Sequence, residues 1–250
     1  MISKNLVKYI RSLELKKNRT KEQVFVAEGP KVVSDLLETS TPRQLLATEE
    51  WFKSNHLKIR QQDIVVTDDE LRKISFLQHP QQVMGIFDIP TPKININICK
   101  QELCLALDKV QDPGNLGTII RIADWFGIST IFCSNDTVDA FNPKVIQATM
   151  GSIAHVKIIY TDLNELINNK PEGVLAYGTA LNGENIYCQK LTPTGIIVMG
   201  NEGNGISPQI LSKVDKYLFI PCYQQNRQTD SLNVAIATAL TCAEFRRQTK

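Results

Sequence analysis

The sequence offers little to a metal ion. Its 250 residues include only three histidines, His56, His79 and His155, which lie far apart. Its six cysteines, Cys99, Cys104, Cys133, Cys188, Cys222 and Cys242, form no Cys-x-x-Cys pair. That spacing argues against a zinc site and a disulfide framework, and buried reduced thiols are expected instead. No apolar run approaches membrane-spanning length, and no apolar segment follows the basic N-terminus as in a secretory leader. A cytoplasmic protein with no membrane partner and no metal is therefore expected. The net charge of +2 is too close to zero to speak for or against nucleic acid.

What is present is more informative. Seven basic residues stand between Met1 and Lys21 against one acid, Glu14. Leu6, Val7, Ile10 and Leu13 recur among them at helical spacing, so an amphipathic basic helix is predicted, with Lys16, Lys17 and Arg19 available to phosphates. Strand and helix patterns then alternate to Phe87, including a capping box from Thr67 to Glu70, and predict a small α/β sandwich over 1–90. Residues 91–101, with Ile and Asn alternating, read as an extended linker or exposed strand. From 102 to 250 the alternation restarts: strands at Leu103–Val110, Thr130–Cys133, Val156–Tyr160, Val174–Thr179, Ile196–Met199 and Tyr217–Ile220 are separated by helices, and a long helix, Ser231–Arg247, ends the chain. This predicts a mainly parallel sheet covered on both faces, with ligands at the carboxyl ends of its strands.

Three loops at those ends carry polar residues. The first is Asp112-Pro-Gly-Asn-Leu-Gly117, with Arg121 a turn into the next helix. The ordinary reading makes Asn115 a helix cap and pairs Arg121 with Asp124 or Asp112. In the second, Val198-Met-Gly-Asn-Glu-Gly-Asn-Gly-Ile-Ser207, Glu202 lies inside a glycine turn, and Ser207 with Pro208 starts a helix. A carboxylate there repels phosphate and favours a cationic or hydroxyl-bearing ligand. The bland alternative is a structural hairpin-like turn. The third is Ile220-Pro221 followed by a polar run and Ser231-Leu-Asn-Val-Ala235, in which Ser231 is the expected helix cap. A Rossmann-type dehydrogenase fits poorly: Asp112–Gly117 lacks the Gly-x-Gly-x-x-Gly spacing, and Asp136 after the following strand is a partial match.

Taken in this order, the three loops resemble the signature motifs of the SpoU/TrmH family of RNA ribose 2′-O-methyltransferases, over about residues 103–247. The stretch around Arg19 and Phe25-Val-Ala-Glu-Gly29 is similar to the RNA substrate-binding domain often fused to that family. The resemblance implies an α/β trefoil-knot (SPOUT) methyltransferase domain, S-adenosylmethionine as cofactor and a homodimer with the final helix near the interface. It implies cofactor contacts from Thr179, Gly200, Ile220 and Leu232, and a catalytic group of Asn115, Arg121, Glu202, Ser231 and Asn233. The substrate would be RNA, with ribosomal RNA favoured over transfer RNA; a non-catalytic RNA-binding or ribosome-assembly protein on the same fold is the alternative from another class. One departure stands out. Cys222 to Asp230, containing Arg227, is longer than the usual segment and glycine-free, which bears on the path of the cofactor loop.

Overall fold

The computed structural model describes residues 2–224 and 231–248. Two compact units result: residues 1–90 with 139–155, and residues 91–138 with 156–250. Compactness therefore groups residues 139–155 with the N-terminal unit, although the sequence pattern runs them on with the C-terminal half.

The chain opens with α1 (Lys4–Ser12) and α2 (Lys16–Glu22), followed by β1 (Val24–Glu28), α3 (Pro30–Thr39), β2 (Gln44–Ala47), α4 (Glu49–Ser54), β3 (Ile64–Val65), α5 (Asp68–Ile74) and β4 (Val83–Asp88). The four strands form a mixed sheet in the order β1-β4-β2-β3. Ile10 and Leu13 pack with Val24, Val26, Leu46, Leu71 and Met84 in the core of this unit. The capping box forms as its sequence predicts: Thr67 accepts from the Glu70 N–H, and Glu70 accepts from the Thr67 N–H at 3.1 Å.

The second half contributes β5 (Leu103–Leu107), α6 (Pro113–Trp125), β6 (Thr130–Cys133), α7 (Pro143–Thr149), β7 (Lys157–Tyr160), α8 (Leu163–Asn168), β8 (Ala176–Asn185), β9 (Gly195–Met199), α9 (Pro208–Leu211), β10 (Lys216–Phe219) and α10 (Val234–Gln248). Its six strands form a sheet in the order β10-β8-β9-β5-β6-β7, every neighbouring pair parallel. Continuous apolar runs are what such a sheet demands, because both faces are buried. Ala106, Ile196 and Val198 are fully buried against Phe132, Leu163 and Ile210.

Two local predictions need correction. Residues 96–100 form a 3-10 helix, neither an extended linker nor a strand, because Ile96 and Ile98 turn onto the core while Cys99 is fully buried. The last helix begins at Val234 and not at Ser231, since the Asn233 carboxamide supplies the cap. Its Oδ1 accepts from the N–H groups of Ala235 and Ile236 at 2.9 and 3.3 Å. The segment containing Arg227 and Asp230, through which a final threading would run, lies outside the described residues.

Candidate active site

The first loop follows β5. Asp112, not Asn115, caps α6: its Oδ1 accepts from the Asn115 N–H at 2.8 Å, and Pro113 takes the first helical position, where no N–H is needed. This frees the Asn115 side chain. Its Nδ2 donates to Glu202 Oε1 at 3.0 Å, and its Oδ1 accepts from Asn233 Nδ2 at 2.9 Å. The three loops are thus joined by a directional relay of amide and carboxylate. Asn233 completes it because its own oxygen is committed to the helix terminus, leaving only its NH2 group to face Asn115.

Glu202 is held by further donors. Asn201 Nδ2 lies 3.3 Å from Glu202 Oε2, and the Asp112 N–H is 3.5 Å from Oε1. Asn201 organises the turn itself: its Oδ1 accepts from the N–H groups of Gly203 and Asn204, its Nδ2 donates to the Lys109 carbonyl at 2.8 Å, and its backbone closes an antiparallel bridge with Gly205. The hairpin-like turn is therefore real, and it presents a carboxylate. Gly200 is required for a reason that the sequence does not disclose. A Cβ there would lie 2.1 Å from the Gly205 carbonyl carbon and 2.2 Å from the Ile206 nitrogen, so the missing side chain lets the loop close on itself. Ser207 precedes α9, but its side chain makes no cap; its N–H donates to Asp108 Oδ2 at 2.7 Å. Asp108 is buried at the end of β5 and ties the first loop to the second. Sequence reasoning misses both Asn201 and Asp108. A carboxylate ending an otherwise apolar strand is the signal that could have exposed Asp108.

A cavity of about 410 Å³ opens beside this turn. Thr179, Gly200, Ile220 and Leu232 all line it, as do Glu202 and Ser231. One wall exists because Thr179 to Gly183 of β8 have no counterpart on β10, whose pairing jumps from Gly178 to Glu184. Thr179 Oγ1 is anchored to the Val198 carbonyl at 3.3 Å. The remaining surface is largely apolar, from Met199, Leu211, Leu218 and Ala237, and Glu202 is the one charged residue among the described residues lining it.

The Ser231 side chain makes no hydrogen bond among the described residues, and neither does the side chain of Arg121, which is exposed on α6 and also has no ion pair there. The expected pairing of Arg121 with Asp124 or Asp112 is absent among these residues, and so is any contact fixing Arg121 to the relay. Arg19 also needs correction. The residue is 1% exposed, and its guanidinium donates to the Leu13 and Glu14 carbonyls and pairs with Asp139 at 2.5 Å. It has no free surface for a phosphate and instead holds the turn between α1 and α2 and the start of 139–155. Lys16 and Lys17 are exposed.

The SpoU rRNA Methylase family pattern matches residues 102–243, which contain all three loops. The chain belongs to that family. Residues 4–85 match an MRM3-like substrate binding domain. The 23S rRNA (guanosine(2553)-2′-O)-methyltransferase RlmP of Bacillus subtilis is 33% identical over 96% of this chain and 95% of its own length. Among solved structures, an AdoMet-bound rRNA methyltransferase from Sinorhizobium meliloti superposes with a TM-score of 0.87 at 30% identity, covering 100% of this chain and 97% of that one. A TrmH-family structure from Porphyromonas gingivalis gives 0.88 at 36% identity, covering 99% of both chains. The fold is accordingly that of the SPOUT methyltransferases, and this family member is an enzyme of the RNA 2′-O-methyltransferase class.

Proposed function

We propose that this protein transfers a methyl group from S-adenosylmethionine to a ribose 2′-hydroxyl of RNA, with ribosomal RNA as the substrate. The observation that carries the reading is the Asn233–Asn115–Glu202 relay at the edge of the cavity lined by Thr179, Gly200, Ile220 and Leu232. The cavity fits such a cofactor. Its 410 Å³ lies within the ~300–1,000 Å³ of small-molecule sites. A carboxylate with no cation among the described lining residues suits a sulfonium and opposes a pyrophosphate. S-adenosylmethionine supplies a methyl group already activated by its positive sulfur.

The chain must then position a hydroxyl and manage its proton. Arg121 is not suited to act as a base, since a guanidinium offers hydrogen-bond donors and no acceptor. Without a side-chain partner among the described residues, it is suited to hold the ribose oxygen or the neighbouring phosphate and to stabilise negative charge as the O–H bond breaks. The proton passes to water or to a phosphate oxygen. Asn115, Glu202 and Asn233 form the rigid wall that orients the ribose, and Ser231 adds a hydroxyl to it. Thr179, Gly200, Ile220 and Leu232 hold the cofactor.

The first unit serves as the RNA-binding domain, with Lys16 and Lys17 toward phosphates. A homodimer is supported by the exposed apolar pair Ile236 and Leu240 on α10 and by Trp125 on α6, which is 86% exposed. No helix among the described residues is long and apolar enough to cross a membrane, and ribosomal RNA as substrate argues for a cytoplasmic site of action. Incubating the purified protein with methyl-labelled S-adenosylmethionine and unmodified ribosomal RNA should give label resistant to alkaline cleavage at one nucleotide. Absence of label from every ribosomal RNA would remove the proposal.

A further inference from the structure

A second cavity, of about 350 Å³, lies within the first unit. Its walls come from two segments far apart in sequence: Phe76 and Leu77, after α5, and Pro143, Lys144, Gln147 and Met150, from α7 and its terminal turn. The first pair falls within the stretch matching a substrate binding domain, and the α7 wall falls within the methylase match.

These walls are set in advance. Glu28, buried beneath the loop, accepts from the Ser75 hydroxyl and from the Phe76 N–H at 2.9 Å. The Arg11 guanidinium lies 5.4 Å from the centre of the Phe76 ring and donates to the Ser75 carbonyl. On the opposite wall, Met150 adopts a left-handed backbone, φ +51°, which is uncommon for a residue with a side chain. That turn is the C-cap of α7, with the Met150 N–H donating to the Gln147 carbonyl at 3.3 Å, and Gly151 follows it where a Cβ would lie 1.9 Å from Asp35 Oδ2. Yet Met150 is 46% exposed. A large apolar side chain left nearly half exposed beside the cavity offers a ligand surface.

The chemistry of the lining selects the ligand. Phe76, Leu77, Pro143 and Met150 offer apolar faces, and Lys144 is the one charged residue among the described residues of the lining. Among the described residues, neither the Lys144 ammonium nor the Gln147 carboxamide has a hydrogen-bond or ion-pair partner. Apolar faces for stacking, one amide for a base edge and one cation for a phosphate are the elements by which proteins hold splayed-out bases. We propose that this cavity receives one unstacked base of the RNA substrate, stacked against Phe76 and Met150, read at its edge by Gln147, with Lys144 on the adjoining phosphate. The inference rests on RNA being the substrate, as argued above.

The test uses the full chain and fluorescein-labelled short single-stranded oligoadenylate and oligouridylate, with a blunt RNA duplex of equal length, followed by anisotropy. The native protein should prefer the single strands. Met150→Ala and Gln147→Ala should each weaken single-strand binding about 5- to 10-fold while leaving duplex binding unchanged. Lys144→Ala should weaken both and flatten the salt dependence by about one phosphate contact. Met150 and Lys144 are exposed, so these variants should melt as the native protein does; Phe76→Ala tests the half-buried side of the stack. Native single-strand affinity in folded Met150→Ala and Gln147→Ala, or no preference of the native protein for single strands, overturns the inference. Label transfer to ribosomal RNA by the native protein is measured alongside. Label with undiminished binding in the variants removes the base pocket alone, and absence of label removes the reaction whatever the variants bind.

Discussion

Asn115 donates to Glu202 across 87 residues of sequence at 3.0 Å, so the carboxylate of the glycine turn is oriented by the helix that follows β5. Asn115→Ala removes that donor and leaves the Asn233 amide unpaired. A hydrogen bond to a charged group is worth about 1.5–3 kcal/mol, so kcat should fall roughly 10- to 100-fold. The helix should persist because Asp112 caps it. Combined with Asn233→Ala, the loss should be less than additive, as expected for members of one network. Full additivity in steady-state kinetics would show the relay to be inert.

Arg121→Ala should abolish methyl transfer by more than about 100-fold while cofactor affinity stays within a few fold. Arg121 is exposed and has no partner among the described residues, so its removal should leave the melting temperature unchanged. Calorimetric titration with S-adenosylmethionine, beside the transfer assay, separates these effects. A variant that retains activity sinks the assignment.

Gly200→Ala forces the added carbon into the Gly205–Ile206 backbone at 2.1 and 2.2 Å. Neither backbone nor turn can yield cheaply, so the loop should be displaced, at a cost of about 1–3 kcal/mol or more. Cofactor binding should fall with it. Gly203→Ala meets only Asn201 Oδ1 at 3.7 Å and serves as the control that should bind normally.

Glu28 gives a pH signature. Burial pushes its carboxyl above the ordinary value of 4.5, outweighing the hydrogen bonds from Ser75 and Phe76 and the charge of Arg11. In the window between the ordinary and the raised value, the folded state binds more proton than the unfolded state. Its contribution is therefore fully present below the ordinary value and is lost as pH rises through the raised one. Denaturation of native protein and Glu28→Gln across this window should show the native protein losing stability relative to the variant as pH increases. A difference that stays constant with pH would contradict the shift.

Much of the fold is legible in the sequence because burial on both faces leaves an unmistakable trace. Thr130–Cys133 is read to its ends, and Gly195–Met199 to within one residue. The linker misleads because an Ile/Asn alternation suits an exposed strand as well as a 3-10 turn, and only contact with the core distinguishes them. Arg19 misleads for a related reason: a cation among cations reads as surface until Asp139, 120 positions later, arrives to neutralise it.

By itself, the sequence determined the class of the fold, the three loops and the residue types that chemistry requires, since periodicity and motif order are local properties of the chain. Only the tertiary structure decided which of those residues act together. Hydrogen bonds have a short reach and fixed donors and acceptors. Once Asp112 takes the helix cap and Asn233 turns its oxygen to α10, Asn115 is left free to bridge to Glu202, while Gly200 proves necessary for the loop and Arg121 stands on its helix with no side-chain partner among the described residues.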